Sequence, residues 1–307
     1  MDFGRLDPEQ LSQVDFTLPP DTDLTRQVLK NVKPIAHPTI YVGCAKWGRK
    51  EWLGMIYPPK TKEANFLNEY VKHFNSIELN AVFYNMPKKE QIKIWREKAE
   101  AVRADFKFFP KFPRSISHLK RLKNTEELTS LFLENISEFG ETLGPCFLQL
   151  SDNFGPKNFD TLQKYLEELP KDFKVFVEVR HPEWFSDQAA RKDLFSLLHQ
   201  LKKGAVITDA SGRRDCVHME LPTPQAFIRF VGNGLHPTDY TRIDEWVERL
   251  VSWKKQGLHD VYFFLHQHDE KDTPILADYT LKKINEELGA HLKRPEFIEQ
   301  SEGLFKK

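Results

Sequence analysis

The chain has 307 residues, of which 40% are hydrophobic and 29% charged, a globular composition that excludes a disordered chain and a membrane-embedded one. Lysine plus arginine and aspartate plus glutamate balance at 45 each, so no global field draws it to nucleic acid or anionic lipid, and any such attraction must be local. Length does not force a division, because α/β barrels of roughly 250 residues fold as one domain.

The opening residues, MDFGRLDPEQ, place Asp2, Arg5, Asp7 and Glu9 where a signal peptide needs an apolar stretch. No run approaches the length of a membrane span. Cys44, Cys146 and Cys216 are far apart and fit neither a zinc site nor a redox pair, so a reducing, cytoplasmic location is expected. Residues 1–38 read as an N-terminal arm, broken by Pro19 and Pro20, with a short polar helix from Asp23 to Val32 and a close at Pro34 and Pro38.

From Thr39 onward, β-branched or aromatic runs alternate with amphipathic segments, the pattern of βα units and a parallel sheet. The runs are IYVG (40–43), SIEL (76–79), FKFF (106–109), CFLQ (146–149), VFVEV (175–179), AVIT (205–208), AFIRF (226–230) and VYFFL (261–265). Eight runs predict a parallel (β/α) TIM-like barrel over residues 39–290, followed by a C-terminal tail over 291–307. Between them lie helical stripes such as Leu128, Leu131, Phe132, Ile136 and Phe139, or Ile243, Trp246, Val247 and Leu250. The spacing from AVIT to AFIRF is short and holds Pro222 and Pro224, so the sixth helix is expected to be stunted or missing. An open doubly wound sheet is the runner-up, weakened because the first strand leads into no G-x-G-x-x-G turn.

Side chains alternate across a strand, and in a barrel one face packs on helices while the other points into the lumen. In VFVEVR the valines Val175, Val177 and Val179 face the helices, so Phe176, Glu178 and Arg180 point inward. The same parity sends Glu78 and Asn80, Lys111 with the deeper Lys107, Gln149 with Phe147, and Arg229 with Phe227 into the lumen. Most of these lie near strand C-termini, where barrel enzymes place their chemistry. The bland alternative is a buried ion network that only holds the lumen together.

The segments YVGCAKWGRKEWLGMIYP, HFNSIELNAVFYNMP, KFPRSISHLK, GPCFLQL and VEVRHPEWF together resemble the YecE-like family, domain of unknown function 72, from Thr39 to about Leu288. That resemblance implies a β/α barrel and leaves the reaction open. It also marks departures: Lys46 stands where the family usually has Gly, and His266 and Gln267 where it has a pair of Asn.

Candidate chemistry follows from the lumen residues. Glu178 and Glu78 are expected as general acid and base, with Lys111 or Arg180 stabilising negative charge. Asn80, Gln149, Arg180, Arg229, Asp209 and His266 are expected to line the ligand, and His181 to shuttle protons or order its turn. Trp47, Tyr84 and Trp184 follow strands and are candidates to hold a ring, or else core. Arg229 precedes Gly232-Asn233-Gly234, and Ser211-Gly212-Arg213-Arg214 follows the sixth strand, both suited to an anion.

GCAKWGRKE imitates a P-loop but fails its spacing. No metal is expected, because the possible ligands Glu78, Glu178, Asp209, His181 and His266 are scattered singly and Arg180 and Lys111 compete for the carboxylates, and no cofactor is expected. Cys44 ranks low as a nucleophile. The basic stretch Lys111, Arg114, His118, Lys120, Arg121 and Lys123 is read as a solvated helix start, with a phosphate-backbone contact as the sharper alternative.

The leading expectation is an enzyme, a hydrolase, lyase or isomerase, acting on a small anionic metabolite, phosphorylated or sugar-like. A nucleic-acid or phosphodiester-processing barrel is the second reading, with the neutral global charge against it. A non-catalytic ligand-binding or scaffold protein is the third. Oligomeric state has no signature in the sequence.

Overall fold

The computed structural model describes residues 3–299. Its strands are β1 (Thr39–Cys44), β2 (Ser76–Leu79), β3 (Lys107–Pro110), β4 (Cys146–Gln149), β5 (Val175–Glu178), β6 (Gly204–Asp209), β7 (Gln225–Gly232) and β8 (Asp260–Gln267). They run parallel in the order β3-β2-β1-β8-β7-β6-β5-β4, and the seam between β3 and β4 closes through the isolated bridges Phe108–Leu143 and Lys111–Phe147. The result is a nearly closed eight-stranded parallel barrel, and every predicted run coincides with one of its strands, with only Phe106 and Val179 falling one residue outside β3 and β5.

The helices are α1 (Asp23–Lys30), α2 (Phe66–His73), α3 (Ala81–Tyr84), α4 (Lys89–Glu100), α5 (Glu126–Ile136), α6 (Phe159–Glu168), α7 (Glu183–Ser186), α8 (Gln188–Gln200), α9 (Pro237–Gln256) and α10 (Thr273–Leu288). Among the described residues, no helix is long and apolar enough to cross a membrane.

The two faces of each strand feed two separate cores. Val42, Ile77, Phe108, Leu148, Val177, Ile207, Ile228 and Phe263 pack outward against the helices. The lower lumen is filled by Phe109, Phe147, Phe176, Val206, Phe227, Tyr262 and Phe264, all buried. Their rings interlock, with centroids 4.9 Å apart for Phe109 and Phe264 and 5.1 Å for Phe227 and Phe264. Fully burying each such side chain is worth about 2–3 kcal/mol, and this plug is one destination of the 24 phenylalanines. Gly204 is part of the fit, since a Cβ there would lie 2.2 Å from the Phe176 ring. The plug separates the polar layer at the top of the lumen from a cavity of about 650 Å³ at the other end, lined by Tyr41, Lys107, Phe109 and Tyr262.

The β6–β7 connection holds a one-turn 3-10 helix, Arg214–Cys216, in place of a full helix. The N-terminal arm occupies the gap. Thr25 Oγ1 donates to Met219 O (2.8 Å) and accepts from Leu221 N (2.8 Å). Glu220 accepts from Thr22 (2.7 Å) and from Arg191 of α8 (3.1 Å), while Asp21 accepts from Trp253 (2.9 Å) and Arg249 (2.7 Å) of α9. An eight-residue helix is marginal alone, so α1 owes its stability to the buried Thr25, Val28 and Leu29 and to the Thr22 cap. It ends at Lys30, short of the expected Val32. In the expected C-terminal tail, Ile298 N donates to Met55 O (2.8 Å), and residues 300–307 lie outside the described residues.

Candidate functional site

Above the aromatic plug, the C-terminal ends of the strands carry a connected polar layer. Arg229 of β7 is its hub: Nε and Nη2 donate to the two oxygens of Glu78 on β2, each at 2.8 Å, and Nη1 donates to Glu178 of β5 at 2.8 Å. Glu78 also accepts from Asn80 (2.8 Å) and pairs with His266 Nε2 of β8 (2.9 Å). Glu178 accepts from Arg180 Nε (2.8 Å) and from Gln149 Nε2 of β4 (2.9 Å), and Gln149 Oε1 accepts from Lys111 Nζ (2.8 Å). The alternation that buries valines outward thus gathers all seven of the residues predicted for the upper lumen, together with His266.

When Lys111 is protonated the charges of this layer do not cancel. Two carboxylates face two guanidiniums, and Lys111 is a third cation whose partner is a neutral amide. Burial alone would raise the Glu178 pKa, but Arg180, Arg229, Lys111 and the Gln149 bond outweigh it and hold it at about 2. Burial opposes Arg229 and His266 at Glu78 in the same way, and that carboxyl also ends well below its usual value. Burial, then the nearby Arg229, lowers Lys111 to about 7, against the opposing pull of Glu178 and Glu78. His118, on the loop after β3, is pushed to about 4 by burial and by Lys111, Arg180 and Arg114. Arg180, Arg229 and Lys111 thus share the layer with Glu78 and Glu178, and the buried Glu270 stands 3.8 Å from His266 Nδ1 at its edge.

Two donors in it lack a protein partner: Arg180 Nη2 and Thr208 Oγ1 are buried without a hydrogen bond. Thr208 stands opposite Arg229 in the β6–β7 register, on the lumen side. Above them, the arm lays the Phe3 ring 3.9 Å from the Arg180 guanidinium and 4.9 Å from that of Arg213, and Gly4 O accepts from Gly212 N at 2.8 Å. Gly4 has φ +67°, and a Cβ there would meet Ala210 at 2.8 Å, so the arm seats closely only with glycine.

Beside Glu78 and Asn80, a cleft of about 260 Å³ opens between Lys46, Trp47 and Tyr84. Tyr84 is 72% exposed, and Trp47 packs edge-on against Trp95 with centroids 5.4 Å apart.

Other predicted residues lie elsewhere. Asp209 faces outward, where it accepts from Arg242 (2.6 Å) and Trp246 (2.7 Å) of α9 and from Arg214; its parity is that of Ala205 and Ile207, so it is no lumen ligand. Trp184 is also corrected: it is fully buried, and its Nε1 donates to Phe154 O at 2.7 Å. His181 accepts from Glu183 N at 3.3 Å and supports Gly155, as a turn-ordering residue does. Gly232 lets Gln267 approach, since a Cβ would stand 2.6 Å from its Nε2; Gln267 in turn accepts from Gly234 N (2.8 Å). Lys120 donates within its own loop to Asn124 O (2.9 Å), and Arg121 ties that loop to the one after β4 through Asn153 O (3.0 Å).

Among the described residues, no group of three or more His, Cys, Asp or Glu side chains is gathered as metal ligands would be. Thr208 was legible from its parity with Val206 but carries no charge to flag it. Phe3 and His118 become part of the mouth only through tertiary folding.

A family model, "Protein of unknown function DUF72", matches residues 41–299, so the arm precedes the matched region. The UPF0759 protein YecE of Escherichia coli K12 is 31% identical over 272 residues, covering 82% of this chain and 96% of its own. A DUF72 family protein from Enterococcus faecalis V583 has a TM-score of 0.65 at 18% identity, over 84% of this chain and 98% of its own. One from Thermotoga maritima MSB8 has a TM-score of 0.58 at 21% identity, over 82% and 100%. These structures share the fold, and the family match and the identity to YecE say that the chain belongs to the DUF72, YecE-like family.

Proposed function

We propose that the protein is a barrel enzyme that binds a small anionic metabolite at its C-terminal mouth and moves a proton with Lys111. The observation that carries this reading is Lys111, whose partner is a neutral amide while Glu78 and Glu178 are engaged by guanidiniums, so a proton on its amine leaves a positive charge uncompensated. A bound carboxylate or phosphate supplies the missing negative charge, with Arg180 Nη2 and Thr208 Oγ1 as the unused donors.

Glu78 and Glu178 then act as a fixed electrostatic frame. Each is ionised and hydrogen-bonded on both oxygens, a poor state for a general acid. The amine of Lys111, lowered to about 7, is matched to proton transfer near neutral pH.

Millimolar phosphate, sulfate or a sugar phosphate should raise the thermal midpoint by roughly 2 °C or more, because a ligand of the folded state stabilises it by mass action. Arg180→Met should abolish the rise. No response of the wild-type protein to any of these anions would overturn the reading.

A further inference from the structure

Two buried lysines in this chain are held very differently. Lys203 spreads its ammonium over the carbonyls of Phe173 (2.8 Å), Pro170 (3.1 Å) and Lys171 (3.4 Å). Lys111 is 6% exposed, donates to Gln149 Oε1, and otherwise lies 4.0 Å from the Phe83 ring centroid. The charged and titratable groups that act on it are Glu78 of β2, Glu178 of β5, Arg180 just beyond β5 and Arg229 of β7, with His118 of its own loop beside it and His266 of β8 one step further, on Glu78. The carboxylates among them are already engaged by guanidiniums.

The Phe83 ring favours the ammonium modestly, whereas burial and two neighbouring guanidiniums favour the free amine. A desolvated lysine beside other cations is the arrangement that frees an amine lone pair for attack on a carbonyl. Lys111 also sits at the C-terminal end of its strand, at the seam that single bridges close.

We propose that Lys111 forms an imine with a small carbonyl compound that carries a carboxylate or phosphate. The inference rests on the anion site described above, with the charged group of the substrate on Arg180 and Thr208. The Nζ lone pair adds to the carbonyl carbon and the carbonyl oxygen takes up a proton, giving a carbinolamine. That oxygen then takes a second proton and leaves as water, while the nitrogen keeps one of its two hydrogens. Amine, carbonyl and one proton thus give an iminium cation and water. The iminium draws electrons from bonds at the adjacent carbon, which is the chemistry of carbon–carbon or carbon–hydrogen cleavage beside a carbonyl. The incoming anion offsets the positive charge that the iminium retains.

The test uses the full-length protein with pyruvate or with glyceraldehyde 3-phosphate, sodium cyanoborohydride to trap the imine, and peptide mass mapping. Lys111 is expected to be labelled at least about tenfold faster than Lys203, and inorganic phosphate should suppress it by competing at Arg180. For a group titrating at about 7, the rate at Lys111 should rise about tenfold from pH 6 to pH 8 and then level off, whereas surface lysines continue to rise. Lys111→Arg keeps the charge and should lose the label. Label confined to surface lysines, in a protein whose midpoint still responds to phosphate, overturns the imine and leaves the anion site. Absence of both label and anion response overturns the two together.

Discussion

The molecule buries two networks of arginine and carboxylate, one on each side of the barrel wall. Outside it, Asp209 and Asp239 face Arg242 and Arg214: Arg242 also donates to Val231 O (3.1 and 3.2 Å), lies 4.2 Å from the Phe230 ring, and Arg214 reaches Phe16 O of the arm at 3.0 Å. Two negative groups meet two positive ones, and the product is mechanical, tying β6, α9 and the arm together. Inside the barrel the same count of carboxylates and guanidiniums is joined by Lys111, and Thr208 and Arg180 hold unused donors. Buried ion pairs are weak evidence of function, because a well-made pair only recovers its own desolvation cost. A surplus of charge at a strand's C-terminal end is different, since the fold alone gives no reason for it.

The largest expected effects separate the two networks by their ligand response. Removing one charge of a buried pair costs about 3–5 kcal/mol, so Asp209→Asn and Glu178→Gln should lose similar stability in chemical denaturation. Asp209→Asn should keep the phosphate-induced rise in midpoint, and Glu178→Gln, which releases Arg180 and Arg229, should change it. Loss of the response in Asp209→Asn would erase the distinction. Acid should act on both: with Glu178 held at about 2, its contribution is complete above the ordinary glutamate range and is lost as pH falls toward 2.

An intermediate effect of opposite sign is expected at Lys111. Its folded-state pKa is lowered from 10.5 to about 7, so between those values the folded chain binds fewer protons than the unfolded one and stability rises with pH. The full penalty is felt below pH 7. Lys111→Met should therefore stabilise the protein by on the order of 2–4 kcal/mol at pH 6, with a gain that shrinks toward pH 10. The gain is limited because methionine can neither donate to Gln149 nor offer a cation to the Phe83 ring. A destabilised Met variant at pH 6 would make Lys111 a structural residue like Lys203.

The lumen was legible because alternation is a local rule: once Val175, Val177 and Val179 are assigned outward, Glu178 and Arg180 have one place to go. Asp209 was misplaced by following charge in place of that rule, since Thr208 carries the lumen parity. Trp184 follows a strand, as a mouth residue would, but α7 turns its ring into the core, which spacing does not reveal. The missing sixth helix could be read from two prolines and a short linker. Its replacement by the arm could not, because Thr25 and Met219 meet across 194 positions of sequence.

The smallest expected effect tests the unused donors most directly. Thr208 Oγ1 is buried without a partner, and an unmade hydrogen bond costs more than an absent polar group. Thr208→Val keeps the shape and removes the hydroxyl, so stability should stay within about 1 kcal/mol of wild type or rise slightly. Asp209→Asn, by contrast, strips a carboxylate from two guanidiniums and an indole. If Thr208 serves a ligand, the Val variant should bind phosphate about three- to tenfold more weakly, the worth of one neutral hydrogen bond. Isothermal titration with phosphate and denaturation in its absence read the two quantities separately. A loss of stability above about 1 kcal/mol with phosphate affinity unchanged would show that the hydroxyl supports the wall, and the surplus that sets the inner network apart would then rest on Arg180 and Lys111 alone.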